Sequence, residues 1–349
     1  MQEKELGEKI IKNAVVFPYG ALQGVCDGNG IYAENDERVL GQIPHLKKKF
    51  KGKIEFIDEK VVFLGFFRAH HGHFITEELA RLWWVLKNGV NHKFVYCRLH
   101  STEFSAFERF ILDMFELKNL TPITKPTQFA EIILPDDSFY SENGVETHRK
   151  TIDFITSKIT PIKNEALYLS RRKFRKANDL EWGEEYFEEI YAKKGYKIIY
   201  PEMLSPQEQL SLWGGAQKFA CVGGTLPHNM IFAPYGSEIE IVLKTSLPNH
   251  FQAIVDKIKE LRTTKIHAYI ELFGVIAGRG PFLMLPNTLL DLDLLHKIKK
   301  DIMSFLFSYK TTLMKNKLRE KPNLNELKQS FCAFKDKIKR VDFRLYESL

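Results

Sequence analysis

The chain has 349 residues, of which 44% are hydrophobic and 27% charged, a balance typical of a globular protein and not of a disordered one. No apolar run reaches the roughly 18–20 residues of a membrane span, and the first residues lack the hydrophobic region of a signal peptide. The four cysteines form no Cys-x-x-Cys pair, which disfavours a disulfide scaffold or a zinc ribbon and favours a cytoplasmic protein. At roughly 100–200 residues per domain, the length predicts two domains.

The positive charge is concentrated at the end of the chain. Residues 297–349 contain 14 Lys/Arg and 6 Asp/Glu, a net charge of +8, whereas the remaining residues contain 37 and 38. A protein that binds nucleic acid over its whole surface should be basic elsewhere too. We therefore expect no nucleic-acid partner, although a polyanion- or nucleic-acid-binding protein that uses residues 171–176 and the basic end is one alternative to an enzyme, and a non-catalytic scaffold is another.

Strand-like and helix-like patterns alternate through the first part of the chain. Residues 60–67 form a β-type apolar run, and residues 73–89 carry leucines and a tryptophan at helical spacing before Gly89, a stop signal. The following segments predict strand, helix, strand and helix in turn: 92–99, 105–117, 129–135 and 148–159. The pattern predicts a first α/β domain over residues 1–155.

The second part repeats the alternation. Strands are predicted at 166–170, 197–202, 218–224 and 237–243, with helices at 184–196 and 205–216 and a loop with a short helix at 225–236. Ser205, Pro206 and Glu208 have the spacing of a helix-capping box. We expect a second α/β domain over residues 156–285, with two parallel sheets facing each other and ligands at the carboxyl ends of the strands.

Residues 286–349 form a predicted helical extension. Two apolar faces recur at helical spacing: Leu294, Ile298, Ile302, Phe305 and Tyr309, then Leu324, Leu327, Phe331, Phe334, Ile338 and Val341. Lysines fill the other faces. The helices either pack on the body of the protein or attach it peripherally to an anionic membrane surface.

A histidine-rich loop follows the first predicted strand. Residues 68–74 read Arg-Ala-His-His-Gly-His-Phe, and two glutamates follow at 77 and 78. Without an HExxH motif or a second ligand cluster, we expect no metal. His73 and Glu77 share a helical face, so the pair could act as a general base for a hydroxyl. The alternative is a His73 that ends the helix and a solvated Glu77.

Two further loops follow strands of the second domain. Residues 171–176 hold five cations in six positions, which suits a diphosphate, a polyanion or simply solvent. The glycines of Gly223-Gly224-Thr225 allow backbone N–H groups to approach an anion, although a structural turn would have the same sequence. Asp291-Leu-Asp293 spells the DxD of metal-dependent glycosyltransferases, but its place at a helix start indicates helix-dipole charge.

Three stretches, 71–83, 168–185 and 200–236, together resemble family 61 glycosyltransferases, in the bacterial branch associated with capsular polysaccharide biosynthesis. The resemblance implies a GT-B fold, in which two Rossmann-like domains face each other across a cleft. It also implies inverting, metal-independent sugar transfer from a nucleotide-sugar, such as a UDP-sugar, without a cofactor. The acceptor would be a glycan or lipid-linked glycan of the cell surface, reached from the inner face of the plasma membrane.

The resemblance also implies residue roles. The residue pattern itself, and not the resemblance, makes His73 the expected catalytic base, with Glu77 orienting it or serving as the base itself. The donor-binding residues would be Arg171, Arg175, Asn178, Glu202, Ser205, Gly224, Thr225, His228, Asn229 and Glu240. Glu240 lies one position earlier than the family's glutamate, and one residue reverses the face of a strand, so its role depends on where it points.

Overall fold

The structure is a computed structural model that describes residues 5–20, 29–41, 50–99, 101, 103–174, 181–244, 250–268 and 282–284. The predicted helical extension over 286–349 lies outside the described residues, as do Arg175 and Asn178. The fold is α/β and divides into two compact units. The described residues of 1–161 form the first unit together with 228–232 and 253–259, and the second unit contains the described residues of 162–227, 233–252 and 260–284.

The first unit contains a mixed seven-stranded sheet. Its strands are β1 (Glu8–Phe17), β2 (Gly30–Tyr32), β3 (Arg38–Gly41), β4 (Glu55–Arg68), β5 (Phe94–Leu99), β6 (Leu120–Pro122) and β7 (Thr127–Pro135). They lie in the order β3-β2-β1-β7-β4-β5-β6. Strands β4 to β7 are parallel and agree with the predicted alternation of strands and helices, whereas β1 to β3 add an antiparallel edge.

Among the described residues of 1–161 there are four α-helices: α1 (His71–Ile75), α2 (Leu82–Asn88), α3 (Ala106–Met114) and α4 (Val145–Ser157). The single helix expected over 73–89 is wrong in detail, because a 3-10 turn at Glu77–Arg81 separates α1 from α2. Thr76 makes the break with φ −108° and ψ −91°. Its buried hydroxyl donates to the Gly72 carbonyl at 2.7 Å and so replaces part of the helical hydrogen bonding.

The core of the first sheet is apolar and continuous across the strands. The buried cluster consists of Ile11, Ala14, Val16, Ile31, Val61, Phe63, Val95, Cys97, Ile123, Phe129, Ile132 and Leu134. Its members come from both the parallel strands and the antiparallel edge. The added strands β1 and β2 therefore share the core that holds the carboxyl end of β4 in place.

The second unit contains a parallel five-stranded sheet. Its strands are β8 (Asn164–Leu169), β10 (Lys197–Ile199), β11 (Ala216–Val222), β12 (Glu238–Leu243) and β13 (Arg262–His267). The order β10-β8-β11-β12-β13 corresponds to the 2-1-3-4-5 order of doubly wound folds. A separate pair joins β9 (Glu181–Trp182) to β14 (Phe282–Leu283).

Three further α-helices lie among the described residues: α5 (Glu184–Lys193), α6 (Pro206–Gly215) and α7 (His250–Lys259). The predicted capping box is confirmed, since Ser205 and Glu208 exchange both hydrogen bonds at the start of α6. On β8, Leu167, Tyr168 and Leu169 are all fully buried, so both faces of this sheet are covered. Within the described residues, no helix has the length and hydropathy required to cross a membrane.

Candidate functional site

The first candidate site lies at the carboxyl ends of β4 and β7. In the parallel part of the first sheet, β5 and β6 lie on one side of β4 and β7 on the other, so the strand order reverses between β4 and β7. Open α/β sheets bind ligands at such a reversal. The histidine-rich loop leaves β4 here, and the segment that ends in Tyr140 leaves β7.

His73, Glu77 and Tyr140 form one hydrogen-bonded group at this edge. The Nδ1 atom of His73 bonds to Oε1 of Glu77, as the four-residue spacing predicted. The hydroxyl of Tyr140 donates to the other carboxylate oxygen, Oε2, at 2.6 Å. Both side chains of the ion pair are partly exposed, at 20% and 22%, so solvent and a ligand can reach them.

The charge state of Glu77 determines the tautomer of His73. Burial by itself raises the pKa of Glu77, but hydrogen bonds from His73 and Tyr140 and the charge of Arg68 outweigh it and lower the pKa. An ionised carboxylate only accepts hydrogen bonds, so Nδ1 of His73 carries a hydrogen, and in the neutral ring Nε2 then carries the lone pair. The imidazole is thereby oriented as a proton acceptor by a carboxylate, the arrangement used by general bases.

The neighbouring carboxyl has the opposite character. Glu78 is 5% exposed and accepts a hydrogen bond from the backbone N–H of Arg68. Burial raises the pKa of Glu78 to about 9, so this group holds a proton at neutral pH. Two adjacent glutamates thus have pKa values shifted apart by their surroundings, a pattern that recurs at catalytic sites.

His228 and Asn229 also lie in the first unit. Both are nearly buried, at 4% and 2% exposure, and Nε2 of His71 donates to Oδ1 of Asn229 at 2.9 Å. Burial lowers the pKa of His71, which keeps its ring neutral. The structure therefore places the two predicted donor-binding residues His228 and Asn229 in the unit that contains the histidine loop, whereas Arg171 lies in the second unit.

The second candidate site lies at the carboxyl edge of the parallel sheet. The strand order of the second sheet reverses between β8 and β11, and the predicted cationic loop and glycine turn follow these two strands. Arg171, Gly224 and Thr225 are therefore brought to one edge, as the strand pattern predicted. Glu202 follows the adjacent strand β10, and its carboxylate accepts a hydrogen bond from the backbone N–H of Lys173.

Gly224 leaves space that two cations line. Its φ is +130°, a conformation that L side chains rarely adopt. A Cβ atom there would lie 3.2 Å from Nη1 of Arg171 and 3.7 Å from Nζ of Lys244. Both cations also approach one carboxylate oxygen of Glu181, with Arg171 Nη2 at 3.5 Å and Lys244 Nζ at 2.7 Å. Lys244 lies outside the stretches that the sequence marked, and Glu181 lies within the 168–185 stretch without a predicted role.

A protonated glutamate adjoins this group. Oε1 of Glu184 accepts a hydrogen bond from the backbone N–H of Arg171 at 3.0 Å. Burial is the main reason that the pKa of Glu184 is raised to about 8. The group is neutral at pH 7, so it fixes the backbone of Arg171 without adding negative charge to the edge.

The other predicted donor residues have structural partners. The Ser205 hydroxyl donates to Glu208 at 2.7 Å within the cap of α6. Glu240 lies within β12, accepts from the Tyr191 hydroxyl at 2.6 Å and stays half-buried. Their roles as donor ligands stay predictions, as do those of Arg175 and Asn178.

The cationic loop is less available to a polyanion than its sequence indicates. Arg172 pairs with Glu188 at 2.7 Å, and the ammonium of Lys173 lies 5.7 Å from the ring centre of Tyr200. Arg171 contacts both Glu181 and the ring of Phe174. Each of the three described cations therefore has a partner within the protein.

No group of three or more histidine, cysteine, aspartate or glutamate side chains is placed to hold a metal ion in the part of the chain that the structure describes. The three histidines do not converge on one point. The rings of His70 and His73 lie 5.0 Å apart, His73 bonds to Glu77, and His71 bonds to Asn229. The loop is organised by hydrogen bonds to an amide and a carboxylate.

Residues 71–239 match the model of the family described as Glycosyltransferase 61. The match begins at the histidine loop and ends within β12, so it includes His73, Glu77, Tyr140, Arg171 and Gly224, whereas Lys244 lies beyond its end. No protein of curated function matches the sequence. The similarity to this family supports the assignment of the chain as a glycosyltransferase.

Proposed function

We propose that this glycosyltransferase moves a sugar, with inversion and without a metal, from a nucleotide-sugar to a bacterial surface glycan of the capsule or lipooligosaccharide type. The donor is a UDP-sugar, and the acceptor is a glycan or lipid-linked glycan. The observation that carries the proposal is the His73–Glu77–Tyr140 group, because it orients an imidazole as a proton acceptor at the edge where this fold class binds ligands.

His73 is the general base in this proposal. Nε2 of His73 takes the proton from the acceptor hydroxyl, whose oxygen attacks the anomeric carbon of the donor. The bond between that carbon and the diphosphate oxygen breaks, and the nucleoside diphosphate leaves with the bonding electrons. Glu77 stabilises the imidazolium that forms, and Tyr140 holds Glu77 through its second oxygen.

The leaving diphosphate gains negative charge and needs donors that are already in place. Without a metal, cations and backbone N–H groups must provide them. Arg171 and the turn at Gly224 lie together at the reversal of the second sheet, and the neutral Glu184 adds no repulsion at pH 7. Removal of one such donor typically lowers the rate by about 10²–10³. The GT-B arrangement of two domains around a cleft stays a prediction.

A thermal-shift screen tests the proposal. The purified chain is heated with UDP, GDP, CMP, dTDP and their common sugars, with and without EDTA. A ligand that binds only the folded state adds about 2.7 kcal/mol of stability at a hundredfold excess over Kd. We expect a shift with one nucleotide that EDTA leaves unchanged. A shift that EDTA abolishes would contradict metal independence, and donor binding without turnover would indicate a non-catalytic scaffold.

The basic extension gives a separate proposal about location. Its lysine-rich amphipathic pattern supports attachment to the inner face of the plasma membrane. Deletion after residue 320 should reduce co-sedimentation with vesicles that contain anionic lipid and leave the melting temperature of the body unchanged. Unchanged co-sedimentation together with lost folding would show that the extension packs on the body.

A further inference from the structure

Lys244 is a buried cation outside the recognised motifs. It follows the carboxyl end of β12, and its side chain is only 9% exposed. Burial lowers the pKa of Lys244 and the charge of Glu181 partly restores it. A buried ammonium costs free energy unless an anion pairs with it, so an anion must lie next to Lys244 in the folded protein.

Glu181 is the anion that is present in the free protein. Its side chain is 8% exposed, and one oxygen, Oε1, serves both Lys244 and Arg171. The other oxygen, Oε2, is buried without a hydrogen-bond partner among the described residues. The two cations thus share one oxygen of this carboxylate, while its other oxygen has no hydrogen-bond partner among the described residues. Another anion could therefore take the place of Glu181 as the counter-ion of both cations.

The two cations converge on the space above Gly224. Arg171 Nη1 and Lys244 Nζ would lie 3.2 and 3.7 Å from a Cβ atom at this position, so only glycine leaves the space between them open. With Glu184 protonated, the group of Arg171, Lys244, Glu181 and Glu184 carries a net charge of +1 at neutral pH. A group with this charge attracts one more anion.

We propose that Lys244 and Arg171 together bind the diphosphate of the donor, and that Glu181 is a resident counter-ion from which the diphosphate takes over the two cations. The proposal rests on the proposed function for the nature of the donor. In the free protein Glu181 keeps both cations ordered. It also weakens diphosphate binding by competition, which favours release of the nucleoside diphosphate after transfer.

Inorganic pyrophosphate is the probe for the test, because it carries the diphosphate charge without a nucleoside. Calorimetric titration at constant ionic strength compares the full-length chain with Lys244→Met, Lys244→Arg and Glu181→Gln. The matched control is Lys218→Met, which removes an exposed lysine on the same sheet whose side chain is 57% exposed. Thermal unfolding of each variant confirms folding.

We expect Lys244→Met to lower pyrophosphate affinity about tenfold or more, because charge-assisted hydrogen bonds are the stronger class. Lys244→Arg should retain most of the affinity, and Lys218→Met should match the wild type. Glu181→Gln should raise the affinity severalfold, since the competing charge is gone. Unchanged binding in Lys244→Met, or weaker binding in Glu181→Gln, would overturn the proposal, as would a wild-type chain that does not bind pyrophosphate.

The same variants separate this inference from the proposed function. If pyrophosphate binds through Lys244 while no nucleotide-sugar is turned over, the proposed diphosphate site is supported and the proposed sugar transfer from such donors is refuted. If a nucleotide-sugar is turned over and Lys244→Met leaves its KM and kcat unchanged, sugar transfer stands and the role of Lys244 fails.

Discussion

The substitution Gly224→Ala tests the geometry of the second site. A φ of +130° is strained for alanine, and such strain costs about 1–3 kcal/mol. The nearest atom to the new methyl group is Nη1 of Arg171 at 3.2 Å, the flexible end of a side chain that can move aside. We therefore expect a loss of about 1–3 kcal/mol in unfolding free energy, with the main effect on the position of Arg171.

The displaced guanidinium should weaken anion binding. The methyl group would occupy the space that Arg171 and Lys244 line, so pyrophosphate affinity should fall about tenfold, as for loss of one charge-assisted hydrogen bond. Thermal unfolding gives the stability, and calorimetric titration with pyrophosphate gives the affinity.

Gly236→Ala is the matched control. Gly236 also has a positive φ, +70°, but nothing lies within 4 Å of its Cβ position. The Gly236→Ala variant should lose about 1–2 kcal/mol of unfolding free energy, as expected for an L residue in the left-handed region, and its affinity for pyrophosphate should be unchanged. A Gly224→Ala protein that binds pyrophosphate like the wild type would refute the reasoning.

Four other substitutions test separate parts of the account. Glu77→Gln should lower the transfer rate about 10²–10⁴-fold with little change in donor KM, and Tyr140→Phe should lower it less than tenfold. If Glu77→Gln transfers sugar at the wild-type rate in steady-state kinetics, the assignment of the base is contradicted. Because the pKa of Glu184 is raised in the folded protein, its contribution to stability is complete below about pH 4.5 and is lost as pH rises toward 8, by about 1.4 kcal/mol per pH unit. Glu184→Gln should remove this loss in thermal unfolding measured across pH. A variant with the same pH profile as the wild type would contradict the raised pKa of Glu184. Gly215→Ala places a Cβ atom 1.8 Å from the Ile162 carbonyl oxygen, so we expect a loss above about 3 kcal/mol in denaturant unfolding, which wild-type stability would contradict.

The alternation of the second unit could be predicted because its strands are buried on both faces. Such strands appear in sequence as short apolar runs, and the glycine turn and capping box mark where the neighbouring elements begin. The placement of Arg171 and Gly224 at one edge followed from the same pattern. The order of the strands in the sheet could not be predicted, because an apolar run such as 166–170 does not indicate which strands pair with it.

The partners of the site residues could not be predicted because they are distant in sequence. Tyr140 is 63 residues from Glu77, and Lys244 is also 63 residues from Glu181. No local spacing connects such pairs. The His73–Glu77 pair was predictable because four residues suffice to bring its side chains together, even though Thr76 interrupts the helix between them.

The antiparallel edge of the first sheet was also not predicted. Strands β2 and β3 have only 3 and 4 residues, too few to show a periodic pattern. Strand β1 is longer, but its first five residues mix charged side chains with two isoleucines, of which Ile10 is exposed, and its burial is continuous only over the last four residues. Its pairing with β7 joins residues more than a hundred positions apart, such as Ile11 and Ile132.

The most direct test of the central claim is a transfer assay with a panel of nucleotide-sugars, EDTA and a bacterial glycolipid extract as acceptor. Release of nucleoside diphosphate is measured for the wild type, Glu77→Gln and Arg171→Ala. The account predicts release with one donor in the presence of EDTA, reduced at least a hundredfold in both variants. Release at the wild-type rate by both variants, or no release by the wild type from any donor, would contradict it.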